Sequence, residues 1–279
     1  MRNRPTYACG GTAAATSPMR LRPSSVPLPK TPSFRLDGQR ALVTGAGRGI
    51  GLAAATALAE AGAHVTLVAR NAAEIEAAAG EIVAAGGSAQ ALALDVTELD
   101  AMAAAIAAVP PFDVFVNNAG TNRPKPFVGV TPDEFDLVIG LNVRAAFFAA
   151  QAVARRLIEA RRPGSIINLS SQMGHVGATN RTVYCASKHA LEGLTKAMAV
   201  EFGPSGIRVN TLCPTFIETP MTQPFLDQPD FAELVLSKIK LGRVGRVEDL
   251  MGAFVYLASD ASALMTGAAV VVDGGWTAE

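Results

Sequence analysis

Tyr184 and Lys188 are the first pair whose types and spacing suggest chemistry. They stand in Tyr184-Cys185-Ala186-Ser187-Lys188, at the start of a long helical pattern. A spacing of i and i+4 puts both on one helix face. A free phenol titrates near ~10 and is a poor acid or base at neutral pH. A neighbouring ammonium should favour the phenolate and lower that value. The pair could then take a proton from an alcohol or give one to a carbonyl. Such a pair recurs by chance, so its partners decide its meaning. Ser171 lies just after the β-like run Ile166–Leu169. Its hydroxyl could hold a substrate oxygen and stabilise developing charge. Alone, Ser171 is equally a turn residue, and Asn142 in Leu141-Asn142-Val143 equally a capping residue.

A second group could bind phosphate. Thr44-Gly45-Ala46-Gly47-Arg48-Gly49-Ile50-Gly51 follows an apolar run and opens a helical pattern. Glycines let backbone approach a pyrophosphate, and a helix start offers unpaired N–H groups. A tight strand-to-helix turn is the structural alternative. The next strand ends Val68-Ala69-Arg70-Asn71 and lacks the acid that would bond ribose hydroxyls. Arg70, helped by Arg48, is instead suited to a 2′-phosphate. NADP(H) is therefore favoured, with NAD(H) open. Alternatively Arg70 starts the following helix and points to solvent.

These residues need a frame. From Phe34 onward, apolar runs such as Ala41–Val43, Val65–Val68, Val114–Val116 and Val209–Leu212 alternate with Ala-rich helical stretches. Among the predicted helices, Pro132–Val143 and Ala145–Ala160 are read as separate. Apolar strands separated by helices imply an α/β fold: one doubly wound parallel sheet with helices on both faces, from residue 34 to 279. Residues 1–33 are rich in Pro, Ser, Ala and Arg and contain no acid. They read as a disordered extension, with an organelle transit peptide and an anion-binding tail as alternatives.

Composition narrows the rest. Half of the 279 residues (49%) are apolar, and 24 Lys+Arg balance 24 Asp+Glu. A large core is available, and no general affinity for nucleic acid or anionic membrane is expected. No apolar run is read as approaching the ~20 residues of a membrane span. Cys9, Cys185 and Cys213 make no disulfide framework, and His64, His175 and His189 have no metal-ligand spacing. No metal and a cytoplasmic setting are expected. Cys185 reads as a packed small residue.

The glycine turn matches the pattern T-G-x-x-x-G-x-G. Asn117-Asn118-Ala119-Gly120, Asn142, Ser171, Tyr184 and Lys188 follow in order. Together they resemble the classical short-chain dehydrogenase/reductase family over nearly all of the chain from Phe34. Within it, the chain is similar in flavour to 3-oxoacyl-carrier-protein reductases and gluconate or glucose dehydrogenases. The resemblance implies a Rossmann fold, hydride transfer between a nicotinamide cofactor and a ketone or secondary alcohol, and a dimer or tetramer. It implies that Tyr184 is the acid–base group and that Lys188 also binds ribose. It further implies that Ser171 orients the substrate oxygen and that Asn142 bends its helix and organises a relay water. Asp95 and Val96 would meet the adenine, although Asp95 is equally a helix cap. Asn118, Ala119 and Gly120 would line the cofactor cleft, with Pro214, Ile217 and Thr219 near the nicotinamide. Thr215 stands where the family usually has Gly. Gln172, His175, Phe216 and Met221 are substrate candidates, and His175 is equally a structural hydrogen-bonding residue. Pro220 to about Leu241 is expected to form a lid. The competing readings are an NAD-dependent polyol dehydrogenase and a catalytically idle cofactor-binding regulator.

Overall fold

The computed structural model describes residues 28–279, so most of the 1–33 extension, and Cys9 with it, lies outside the described residues. Pro32–Glu279 forms one compact unit. Its sheet has seven strands: β1 Arg40–Thr44, β2 His64–Ala69, β3 Ser88–Ala93, β4 Val114–Asn117, β5 Gly164–Leu169, β6 Ile207–Pro214 and β7 Ala269–Val272. Their order is β3-β2-β1-β4-β5-β6-β7, and every pairing is parallel. The central strands are buried along nearly their whole length. Both faces must therefore be covered, as the unbroken apolar runs predict.

One face carries α1 Gly49–Glu60, α2 Ala72–Ala84 and α9 Glu248–Ala258, with Leu58, Ile75 and Phe254 in its core. The other carries α3 Leu99–Ala107, α5 Ala146–Glu159 and α6 Thr182–Phe202, with Met102, Phe115, Val153 and Leu157. Burying each such side chain is worth about 1.5–3 kcal/mol. Small Ala54, Ala55 and Ala150, all without exposure, let helices approach the sheet closely. The strand order reverses between β1 and β4, and a crevice opens there at the strands' carboxyl ends, where doubly wound folds bind ligands.

Two expectations need correction. The stretches read as Pro132–Val143 and Ala145–Ala160 are one continuous helical run. It comprises α4 Pro132–Ile139, a π-helical turn Gly140–Ala145, and α5. The run spans 28 residues with mean hydropathy 1.6 in its most apolar part, so it is long and apolar enough to cross a membrane. The expectation that no such run exists therefore fails by length and composition. Packing accounts for the apolarity: Val138, Ala145, Ala149, Ala150, Val153 and Leu157 are buried, all but Val138 in the core of the second face. The start of α4 is fixed by a capping box between Thr131 and Glu134, with Pro132 in the first turn. The segment expected to form a lid, Pro220 to about Leu241, is largely helical, with α7 Gln223–Leu226 and α8 Pro229–Lys238.

Candidate active site

Tyr184 and Lys188 lie on the first turns of α6, facing the end of β5. The Lys188 ammonium is 5.5 Å from the centre of the Tyr184 ring. Its Nζ donates 2.7 Å to the carbonyl of Leu169, the last residue of β5. Ser171 follows two residues later in extended backbone. Its hydroxyl donates to Gln172 Oε1 at 2.7 Å and accepts from the Met173 N–H at 3.1 Å. The sequence order Ser171, Tyr184, Lys188 thus becomes one cluster because β5 delivers its end to the start of α6.

The electrostatics of this cluster correct a third expectation. Tyr184 is pushed up to about 12, because the protein around its phenol disfavours the phenolate. The Ser171 hydroxyl and the Arg181 guanidinium pull in the opposite direction. Lys188 is not among the groups that lower it. Burial instead drives Lys188 itself down to about 8, opposed by Cys213 and Glu192. Desolvation penalises both charged forms, and here it outweighs their mutual attraction. The cation that favours the phenolate is Arg181, which spacing alone did not single out.

Asn142 is buried in the π-helical turn. Its Nδ2 donates to the Thr121 carbonyl at 2.9 Å and to Ser187 Oγ at 3.0 Å, and its Oδ1 accepts from the Thr121 N–H at 2.8 Å. It therefore ties the segment after β4 to α6 one residue from Lys188. π-Turns of this kind are inserted single residues, frequent at functional sites. The helix that the resemblance expects Asn142 to bend is interrupted at that residue by the π-helical turn.

The residues of the glycine turn fit a dinucleotide. Arg48 caps α1 with extended backbone and no side-chain cap, and the first turn holds no acid, so the leading N–H groups face outward unneutralised. Gly49 has φ +57°, and a Cβ there would come within 3.4 Å of Thr219, which covers the turn. At Gly51 a Cβ would lie 2.2 Å from the Gly45 carbonyl, so no side chain fits. Asn118 donates to the carbonyls of Thr44 and Gly45, and the Thr44 hydroxyl accepts from the N–H groups of Asn118 and Ala119. Gly120 lies against Asn142. Contacts therefore link the turn at Gly45 through Asn118, Ala119 and Gly120 to Asn142.

The remaining cofactor candidates divide. Arg48 and Arg70 are exposed and sit 3.7 Å from Glu74 and Asp95. Exposed pairs of that length are worth roughly 0–1 kcal/mol, so both guanidiniums can turn to a stronger anion. Asp95 accepts from the Thr97 N–H and hydroxyl, closing a turn rather than capping a helix. Val96 is buried. The Ile217 side chain packs in the core against Gly245, leaving only its backbone for a ligand. Pro214 is buried at the end of β6, and its carbonyl is 3.5 Å from Ser171 Oγ. Beside it, Thr215 Oγ1 is a buried atom without a hydrogen-bond partner, as is Gln172 Nε2. Both fit a cleft that awaits polar ligands.

On the substrate side the structure sorts the four candidates. Gln172 is buried beside Ser171. Phe216 joins an aromatic group with Phe231 at 5.5 Å and Trp276 at 5.7 Å, and Phe225 stands 6.1 Å from Phe231. Met221 is exposed. His175 turns to other partners: its Nε2 is 3.4 Å from Cys213 Sγ and 3.7 Å from Glu192 Oε1. Its structural reading is the one seen. This His175–Glu192–Cys213 group, with ligand atoms close enough for a metal ion, joins three elements and was invisible to spacing. Cys185 is buried, and burial pushes its thiol up, as expected of a packed residue.

The fold and the cleft together define a nucleotide-binding protein of the doubly wound class, with a serine, a tyrosine and a lysine gathered at the carboxyl end of β5. The family pattern described as enoyl-(acyl carrier protein) reductase matches residues 45–277. The L-xylulose reductase of Bos taurus is 43% identical over 245 residues, covering 88% of this chain and 99% of that protein. The gluconate 5-dehydrogenase of Gluconobacter oxydans is 40% identical over 248 residues, covering 88% and 96%. The crystal structure of a gluconate 5-dehydrogenase from Burkholderia cenocepacia, in complex with NADP and tartrate, superposes with a TM-score of 0.85 at 38% identity, covering 88% and 98%. The chain belongs to the short-chain dehydrogenase/reductase family. It is an oxidoreductase that uses a nicotinamide cofactor on CH–OH or C=O groups.

Proposed function

We propose that this enzyme reduces the ketone of a small polyhydroxylated molecule with NADPH, and oxidises the corresponding secondary alcohol in reverse. The observation that carries the reading is the gathering of Ser171, Tyr184 and Lys188 beside the uncapped start of α1. When bound, the nicotinamide supplies or accepts the hydride, and its oxidised ring is positive. The chain's own residues handle the proton. Tyr184 at about 12 is protonated at neutral pH, the form that donates to a carbonyl oxygen. The Ser171 hydroxyl donates to the same oxygen as its charge grows. Lys188 Nζ, held by the Leu169 carbonyl, keeps donors free for the ribose hydroxyls. Asn142 positions α6 through Thr121 and Ser187. Asn118 and Thr44 hold the turn at Gly45, Gly49 and Gly51, while Arg48 and Arg70 meet the 2′-phosphate.

NADP selectivity is supported by Arg70 standing where an acid would select NAD, and by NADP in the Burkholderia structure. A polyol-like substrate is supported by the relatives' names, xylulose and gluconate. The half-exposed Phe147 and Phe148 on α5 support an oligomer of two or four chains. The free, buried Cys185 and Cys213 support a reducing cytoplasmic setting. The test is initial-rate turnover of ketoses, keto acids and simple ketones with NADPH and NADH. Faster turnover of ketoses or keto acids with NADPH is expected. Tight cofactor binding without turnover of any of them would favour a regulatory protein instead.

A further inference from the structure

Arg181 is the unpaired charge beside the Tyr184 site. It is only 7% exposed. Among the described residues, no carboxylate pairs with it and no oxygen accepts from its side chain. Arg208 and Arg156 differ: Arg208 donates to the carbonyls of Leu257, Ser259 and Met265, and Arg156 to that of Val109. Arg40 shares the unpartnered state over the Phe112 ring, but it opens β1, at the opposite end of the strands from the site. A guanidinium keeps its proton at neutral pH even when burial lowers its pKa, as happens here. The titratable groups that act on it are Tyr184 and Cys185. Burial pushes both upward, so both stay neutral. Its one visible companion is the ring of lid residue Phe225, with the guanidinium carbon 5.3 Å from the centroid. A ring face offsets part of the lost hydration but supplies no acceptor.

The position adds to the charge. Arg181 caps α6 with no side-chain cap, and the first turn has no acid. A cation there opposes the usual preference at a helix start, where anions are favoured. Gln172 Nε2, beside Ser171, is a second buried donor without a partner. Two unmatched donors thus stand at the site: Arg181, three residues before Tyr184 and acting on its phenol, and Gln172, bonded to Ser171.

We propose that Arg181 forms an anion subsite and that the preferred substrate carries a carboxylate: a polyhydroxy acid or its keto acid. This rests on the reading of the cleft as a ketone and alcohol site. The carboxylate would meet the guanidinium in the fork geometry that arginine offers, with Phe225 closing over the pair. A single guanidinium suits a monoanion better than a phosphate dianion.

The test compares kcat/KM with NADPH for 5-ketogluconate, for the neutral six-carbon ketose fructose and for fructose 6-phosphate, using the full chain. The wild type should prefer the keto acid. Arg181→Gln should lower the ratio of keto acid to ketose by about 100-fold, as expected when a buried charge pair is lost. Arg181→Lys should recover part of it. The ratio normalises for any loss of folded protein. A wild type without preference for the keto acid, a ratio unchanged in Arg181→Gln, or a stronger preference for the phosphate would each overturn the inference. Turnover of fructose alone would leave the cleft's reading intact while doing so. Turnover of none of the three would overturn that reading as well.

Discussion

The two walls of the cleft are built differently. On one wall, Ser171, Lys188 and Asn142 are buried, and each is fixed by hydrogen bonds to backbone of the central strands or the segments just after them. On the other, Phe216, Phe225 and Phe231 touch through ring edges, and Met221 lies open. Backbone hydrogen bonds tolerate few alternatives, whereas aromatic contacts slide at small cost. The first wall can hold a proton-transfer geometry. The second can change shape around different molecules. A substitution on the first wall should therefore act on the chemical step, and one on the second on substrate affinity.

The sharpest attempt to break that contrast is Tyr184→Phe. It should lower kcat by about 1,000-fold, since a positioned acid contributes roughly 10²–10⁴. Cofactor affinity, read by fluorescence titration, should hold. A loss below tenfold would move the acid elsewhere. A smaller effect tests the burial of Lys188 in the cofactor-free protein. Its pKa falls from 10.5 unfolded to about 8 folded. Between those values the unfolded chain holds the extra proton, so this residue's contribution to stability rises with pH and is lost again as pH falls toward 8. Relative to Lys188→Met, the wild type should gain about 2 kcal/mol between pH 8 and pH 10 in urea unfolding. Tyr184 has the opposite sign but enters only above 10.0. A difference that ignores pH would show that the ammonium is hydrated. Smallest is the lid. Phe225→Ala removes one aromatic contact of about 0.5–1.5 kcal/mol, so KM should rise by up to about tenfold with kcat nearly unchanged. A larger fall in kcat would mean that the lid shapes the first wall too.

The first wall was also the legible one. Strand runs such as Val114–Val116 and the turn at Thr44–Gly51 announce themselves because local backbone chemistry dictates them. Ser171 and Tyr184 could be placed because each follows an element boundary. The π-turn was not legible as such: a single extra residue perturbs the apolar period no more than a helix break would. Arg181 escaped because its burial depends on Phe225, far along the chain. A cation at a helix start without an acid was nevertheless a signal in the sequence. His175, Glu192 and Cys213 meet only through the pairing of β5 with β6 and the packing of α6, which no short spacing encodes. The downward pull of Lys188 on Tyr184 was expected from charge alone, and burial reversed the outcome.

The π-turn at Gly140–Ala145 also changes how this chain should be counted. It places α4 and α5 in one unbroken rod whose two halves run one residue out of step. Removing any one residue there other than Asn142 would restore uniform winding and turn α4 by about 100° against α5. Asn142 would then swing off Thr121 and Ser187, although every named catalytic residue was still present. Two chains of this kind can thus share all their motif letters and still differ in whether those letters point at one another.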